Sequence, residues 1–193
     1  MSPDRLDQVA EIRFTFRVER SGAEQVVRHW TWQPTENLVT RTTAGDDGGV
    51  SIVSYARNVP PQDWSPDARE ADRQFINDTF WLLPALHLVW AGPDITVEDR
   101  GSAIFPIGEK TARLVFVTYP DSGGGYTPGD AYALFLDDRD RIIGWHFNRS
   151  GSETPTLTTT FETHRRFGPL SIALEHRNHD GTLRYNRKLC MAE

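Results

Sequence analysis

Six histidines are the residues of this sequence best suited to acid–base catalysis or metal binding, and they stand at positions 29, 87, 146, 164, 176 and 179. No two of them have the H-x-H spacing of a strand or the H-x-x-x-H spacing of a helix, which would aim two imidazoles at one metal ion. His176 and His179 flank a run of polar residues that is typical of a solvated turn. We therefore predict no metal site. An enzyme that uses His29, His164 or His176 beside a carboxylate stays open as an alternative.

Three other features could carry chemistry, and each lacks a necessary part. The glycines at 123–125 are not followed by the Lys-Ser/Thr of a phosphate-binding loop, and they precede a predicted strand instead of a helix. Asp137, Asp138 and Asp140 lack the glycine and the glutamate that complete a calcium loop. Cys190, the single cysteine, has no partner for an intrachain disulfide and no base placed beside it. The sequence predicts no catalytic residue and no cofactor.

Aromatic residues are more informative, because many of them fall on the inward faces of predicted elements. In one interpretation they fill a core, and in the other some of them line a pocket for an apolar ligand. The sequence alone does not choose between the two. The candidate ligand-binding residues are Phe14, Phe16, Trp30, Trp32, Phe80, Trp81, Trp145 and Phe147.

Strands must position most of these side chains. Apolar residues at 12, 14, 16 and 18 alternate with polar ones, which is the period of a strand with one buried face. Ser21 and Gly22 then predict a turn, and Val26, Trp30 and Trp32 share one face of the next strand. Further strands are predicted at 38–43 and 50–55, so the first four form a meander.

One main helix is predicted over 66–83. Ser65 is a suitable N-cap, Pro66 suits the first helical position, and Asp67 complements the positive end of the helix dipole. Apolar residues recur at steps of three and four from Ala68 onward, and Pro84 ends the pattern.

After the helix, strands are predicted at 94–99, 112–119, 131–137, 142–148, 156–167, 170–177 and 183–189. The strand at 112–119 is apolar on both faces and is therefore expected in the centre of a sheet. His146 alternates with Trp145 and Phe147, so we expect it to face solvent. These patterns predict a mainly β chain of about eleven antiparallel strands in one curved sheet, an open half-barrel, with the helix packed on its concave face.

Composition limits the class of protein. The 193 residues fit a single domain spanning 1–193. The net charge of −6 argues against nucleic acid, which needs a cationic face. The apolar run at 80–90 is far shorter than the roughly 20 residues of a membrane-spanning helix. The sequence leaves the oligomeric state open.

The first residues lack the cationic head and apolar core of a secretory signal. The sequence therefore predicts a location in the periplasm or cell envelope if a signal peptide has been removed, and in the cytoplasm otherwise.

Several motifs resemble the bacterial lipoprotein-carrier superfamily (LolA/LolB-like), and in particular its uncharacterised envelope proteins. The resemblance rests on the helix end Asn77-Asp78-Thr79-Phe80-Trp81-Leu82-Leu83-Pro84, on the segment from Ile143 to Phe147, and on weaker matches at 127–132 and 159–170. It covers most of residues 10 to 177. The resemblance implies an incomplete antiparallel barrel with helices on its concave side, and binding of lipoprotein acyl chains or related apolar ligands.

We therefore expect a non-enzymatic protein that holds a lipid or another hydrophobic ligand in a concave apolar cavity. Two alternatives stay open. One is an enzyme of unknown class with a polar site in the barrel mouth. The other is an interaction scaffold of the cell envelope that docks a partner through an open sheet edge or through its glycine-rich loop.

Overall fold

The computed structural model describes Leu6 and residues 9–45, 48–122, 128–168 and 170–192, with 186–192 described by their backbone alone. The glycines at 123–125 and the side chain of Cys190 lie outside this description.

Within the described residues the chain forms twelve β-strands and two α-helices. The helices are α1 (Pro66–Leu82) and α2 (Pro84–Ala91). The strands are β1 (Glu11–Arg20), β2 (Ala23–Gln33), β3 (Leu38–Ala44), β4 (Val50–Ala56), β5 (Thr96–Phe105), β6 (Lys110–Thr118), β7 (Ala131–Leu136), β8 (Ile142–Asn148), β9 (Leu157–Thr160), β10 (Glu162–Phe167), β11 (Leu170–Arg177) and β12 (Leu183–Ala192).

The strands form two sheets, neither of which is closed. One sheet has the order β10-β11-β12-β1-β2-β3-β4, and the other has the order β5-β6-β7-β8-β9. Strand pairs with a described register are all antiparallel. The prediction of a mainly β, antiparallel fold with one main helix is confirmed.

The chain divides into two compact units. The first unit consists of Met1–Pro84, His164–Leu174 and Tyr185–Glu193, and the second of Ala85–Thr163 and Glu175–Arg184. The expectation of a single domain over 1–193 stays a prediction.

In the first unit, α1 begins as its sequence indicates. The Ser65 hydroxyl accepts a hydrogen bond from the Ala68 amide at 3.1 Å, and Pro66 occupies the first turn. Ala68, Ala71 and Phe75 follow at helical spacing and are buried. Because these positions lie on one face of the helix, α1 presents an apolar stripe that packs on the sheet.

Pro84 ends α1 and also begins α2, which the sequence patterns did not predict. The residue before a proline avoids helical backbone angles, and Leu83 accordingly has φ −133° and ψ 47°. Proline is well suited to the first position of a helix, so the chain turns back into helix at once. The apolar run that follows α1 is therefore a second, shorter helix.

In the second unit, one face of the five-stranded sheet holds a small core of Phe105, Ile107, Ala112, Ala133 and Phe135. The ring of Phe105 lies over Gly144 so closely that a Cβ on that glycine would stand 2.1 Å from it. The absence of a side chain at 144 lets the ring seat against the β8 backbone.

The predicted strand at 156–167 is two strands of different sheets, β9 and β10, divided at Phe161. The Phe161 amide bonds to the Ile143 carbonyl at 2.8 Å, and its ring is buried against Trp145. The strands therefore number twelve instead of about eleven, and they lie in two sheets where one was expected.

Candidate functional site

Four of the eight candidate residues lie on one face of the β1–β2 pair in the first unit. Phe14 and Phe16 alternate along β1, and Trp30 and Trp32 alternate along β2. Phe14 is paired with Trp30 in the ladder, so their side chains emerge side by side. All four are buried, which confirms that the alternation in the sequence marks the inward face.

Phe75 of α1 is at the centre of this group. Its ring centroid is 6.4 Å from that of Phe14, 5.4 Å from Trp30 and 5.5 Å from Trp32. The two tryptophans meet it edge-on, a geometry that aromatic rings favour. In this conformation the three strand residues pack around a ring of the helix.

The remaining candidates of the first unit are near the C-terminal end of α1. Trp81 is stacked on Tyr185 of β12 with ring centroids 4.1 Å apart, and Tyr185 also lies 5.9 Å from Phe16. Phe80 is buried. Burial raises the pKa of the Tyr185 hydroxyl above its ordinary value of 10.0. Neither Phe75 nor Tyr185 was among the eight candidate ligand-binding residues.

A buried carboxylate ties α1 to β2. Asp78 has no solvent exposure, and its two oxygens accept hydrogen bonds from the Arg28 guanidinium at 2.7 and 2.8 Å. The Trp30 indole donates to the same carboxylate at 2.9 Å, and the Asn77 amide adds a bond at 3.0 Å. Arg28 also lies 5.1 Å from the centroid of the Phe16 ring, so the same guanidinium contacts both Asp78 and the aromatic group.

Two further arginines bind the same helix. Arg57, just after β4, bonds to Asp72 at 3.1 Å and lies over the ring of Phe75 at 5.5 Å. Arg41 of β3 donates to the Gln74 amide oxygen at 2.9 Å. The face of α1 is thus apolar at its centre and bound to three arginines around it.

The last two candidates belong to the second unit. Trp145 and Phe147 of β8 surround Tyr132 of β7, at ring distances of 5.3 and 5.2 Å. Trp145 is buried and also meets Phe161 at 5.1 Å, whereas Phe147 is half-buried. Burial raises the pKa of Tyr132 far above its ordinary 10.0.

The histidines considered for catalysis are spread over the chain. His29 is exposed, and its Nδ1 lies 2.9 Å from the Thr15 hydroxyl in the first unit. His176 is buried in the second unit, with its Nδ1 2.9 Å from the Thr160 carbonyl and its ring against Phe161. Within the described residues no group of three metal-ligating side chains is assembled.

The expectation that His146 faces solvent is wrong. Its ring is half-buried, bonds through Nδ1 to the Thr158 hydroxyl at 2.7 Å and meets Phe135 edge-on at 5.0 Å. Burial lowers its pKa below the ordinary 6.5. The error arose because the second sheet has apolar side chains on both faces, so alternation did not mark a solvent side.

The aspartates after β7 form the hairpin turn that their composition indicates. The Asp137 carboxylate accepts from the amides of Arg139 and Arg141 and binds the Arg141 guanidinium at 2.6 Å. Arg113 bonds to Asp140 at 3.2 Å. These carboxylates are engaged by arginines, as expected for a structural turn.

No protein-family model matches this sequence, and no curated protein matches it. Solved structures that are similar to this chain include the following two. A LolA superfamily protein from Nitrosomonas europaea aligns with a TM-score of 0.52 at 10% identity, over 97% of this chain and 89% of its own. A DUF1329 family protein from Desulfovibrio piger aligns with a TM-score of 0.49 at 7% identity, over 97% and 87%. The chain has a LolA-like fold, as its motifs indicate.

Proposed function

We propose that this chain binds a lipid acyl chain, or another apolar molecule of similar width, on the aromatic face of β1 and β2 beneath α1. The observation that supports this proposal is the way in which α1 packs on that aromatic face. The Phe75 ring of α1 packs against three of the four buried aromatic side chains on this face, those of Phe14, Trp30 and Trp32.

A ligand on this face would take the place that Phe75 occupies. Burial of apolar surface contributes about 0.8 kcal/mol for each methylene, so an acyl chain of ordinary length could offset the contacts that α1 gives up. The rings of Phe14, Trp30 and Trp32, which now contact Phe75, would then contact the apolar chain. The described contacts at the centre of this face are those of aromatic rings, which suits the retention of an apolar ligand.

The polar contacts between three arginines and α1 must break before a ligand can bind beneath the helix. Arg28, Arg41 and Arg57 hold α1 by polar contacts, which water can replace when the helix moves away, at a cost that any ligand must meet. The apparent affinity equals the intrinsic affinity multiplied by the fraction of molecules in the open form. The site therefore suits a ligand with a large apolar surface better than a small one.

The fold is in accord with this proposal. The lipoprotein-carrier superfamily that the sequence motifs resemble binds acyl chains, and we infer the same class of ligand here. No helix in the described part of the chain is long and apolar enough to cross a membrane.

The experiment is a titration of the protein with a fatty acid brominated along its chain, monitored by tryptophan emission. Bromine quenches only indoles that it contacts, so the titration reports both binding and location. We expect saturable quenching that becomes weaker in Trp32→Phe and in Trp81→Phe, because each removes an indole at the proposed site. Trp145→Phe in the second unit is the matched control and should leave the quenched amplitude unchanged.

Absence of saturable quenching in the wild type would overturn the proposal. Quenching that disappears in Trp145→Phe but persists in the other two variants would move the ligand to the Trp145 and Phe147 group, which also stays a prediction.

A further inference from the structure

The two sheets have four edge strands among the described residues, and three of them are protected against pairing with another chain. Edges are commonly protected by charge, by shortness or by a bulge. β5 carries Asp99 and Arg100, and its register is irregular between Asp99 and Ser102. β10 includes Arg165 and Arg166, and β9 is only four residues long. The fourth edge, β4, has none of these devices.

The backbone of β4 has a defined outer side. The hairpin that joins β3 to β4 is closed by a hydrogen bond from the Gly45 amide to the Gly49 carbonyl at 2.8 Å. At the other end of the ladder, the Arg57 amide donates to the Asn37 carbonyl at 2.7 Å. Hydrogen-bonded pairs alternate along an antiparallel ladder, so these two ends fix which residues bond to β3.

The residues of β4 that bond to β3 are Ser51, Val53 and Tyr55. Those between them direct both their amide and their carbonyl away from the sheet. No described residue bonds to these outer backbone groups of Val50, Ile52 and Ser54. The outer row ends at Ala56, whose carbonyl accepts from the Trp64 indole at 3.0 Å.

The side chains of β4, like its outer backbone groups, have no feature that would prevent pairing with another strand. Val50 is 67% exposed and Ile52 is 66% exposed, the two largest values among the exposed apolar side chains. No residue from 50 to 56 is charged. A regular, uncharged strand with exposed β-branched residues is the form of edge that adds another strand.

We propose that β4 pairs with β4 of a second copy of this chain, antiparallel and about a two-fold axis at Ile52. Such an axis places Ile52 opposite its own symmetry mate and Val50 opposite Ser54. Each of these positions directs both backbone groups outward, so each is a hydrogen-bonded pair with two bonds. The pairing joins two seven-stranded sheets into one continuous sheet.

A second copy is the occupant because the segment is complementary to itself. On the face that carries Ile52, apolar groups meet apolar or small ones, and on the opposite face Ser51 meets Val53. No like charges are brought together, which is the usual obstacle to self-pairing of an edge. The bond from Trp64 to Ala56 limits the pairing to the open part of the strand.

The test is sedimentation velocity over a range of protein concentrations. We expect wild-type protein to pass from monomer to dimer. Ile52→Lys and Ile52→Glu should each raise the dimer dissociation constant about tenfold or more, because each places two like charges at the axis. An equimolar mixture of the two variants should recover a heterodimer, since position 52 then meets the opposite charge.

Ile104→Lys is the matched control. Ile104 is an exposed isoleucine on the edge strand β5, 59% exposed, and its substitution should leave the dimer constant unchanged. Wild-type protein that stays monomeric up to about 1 mM would overturn the proposal, whatever other molecule binds the edge. A mixture that stays monomeric would overturn the axis at Ile52.

Amide hydrogen exchange supplies a second readout that does not depend on a variant. The amides of Val50, Ile52 and Ser54 should exchange quickly at low concentration and become protected as the dimer forms. The amides of Ser51 and Val53 should be protected throughout. Outer amides whose exchange does not change with concentration would contradict the pairing.

Discussion

Asp78 and Phe75 hold α1 on its sheet by different kinds of contact. Phe75 supplies dispersion and burial, and Asp78 supplies a charge that Arg28 and Trp30 satisfy. Removal of one partner of a buried ion pair is far more costly than its net contribution, because the other charge is left without compensation. The carboxylate is therefore the residue on which the position of α1 depends most.

We expect Asp78→Asn to lower the free energy of unfolding by about 3–5 kcal/mol, because the Arg28 guanidinium loses its counter-ion in a buried setting. Urea denaturation measures this change. Glu98→Gln, which breaks the exposed pair of Glu98 with Arg100, is the control and should change stability by less than about 1 kcal/mol. Equal losses in the two variants would show that Asp78 is not buried as described.

The burial of His146 should make the stability of the fold depend on pH. Burial lowers its pKa in the folded protein, so between that pKa and 6.5 the unfolded chain binds more protons than the folded one. Its contribution to stability is therefore present above pH 6.5 and is lost as the pH falls toward the folded pKa. Urea denaturation between pH 7.5 and 5.5 should show a steeper loss for wild type than for His146→Gln. Parallel curves would contradict the shift.

At the scale of elements, the start of α1 depends on a single hydroxyl. Ser65→Ala removes the acceptor for the Ala68 amide and should cost about 0.5–2 kcal/mol in thermal or urea unfolding. Ser65→Asp keeps an acceptor at the same place and is the control. A loss of stability in Ser65→Asp as large as that in Ser65→Ala would argue against the cap.

Most helices and strands were predictable because alternation, turn residues and helix caps each depend on residues that are neighbours in the sequence. Period-two alternation located β1 and β2, the turn at 21–22 joined them, and the cap at Ser65 with Pro66 located α1. The break at Phe161 was missed because both sides of it read as strand, and what divides them is burial of its ring against Trp145. Tertiary contact, not propensity, decides that boundary.

The candidate site was predictable in part. Alternation put Trp30 and Trp32 on the inward face, but it could not show that Phe75 would be the ring between them, because the angle of a helix on a sheet is a tertiary property. Arg28 gave a usable signal. It stands between Val26 and Trp30 on the same face of β2, and a charge within an apolar row indicates a buried partner.

At the scale of the whole molecule, the proposed pairing of β4 couples folding to association. When folded chains associate, the midpoint of thermal unfolding rises with protein concentration, because mass action favours the dimer. We expect this rise in wild type and in Ile104→Lys but not in Ile52→Lys, measured by calorimetry at matched concentrations. A midpoint independent of concentration in the wild type would count against association of the folded chain.

The close contact of Phe105 with Gly144 has a consequence for the alignment of sequences that share this fold. A methyl group at 144 would overlap the ring, so the two positions should covary, and a larger residue at one should accompany a smaller residue at the other. Where two sequences of the same fold agree at few positions, such a coupled pair can anchor an alignment that overall similarity leaves ambiguous.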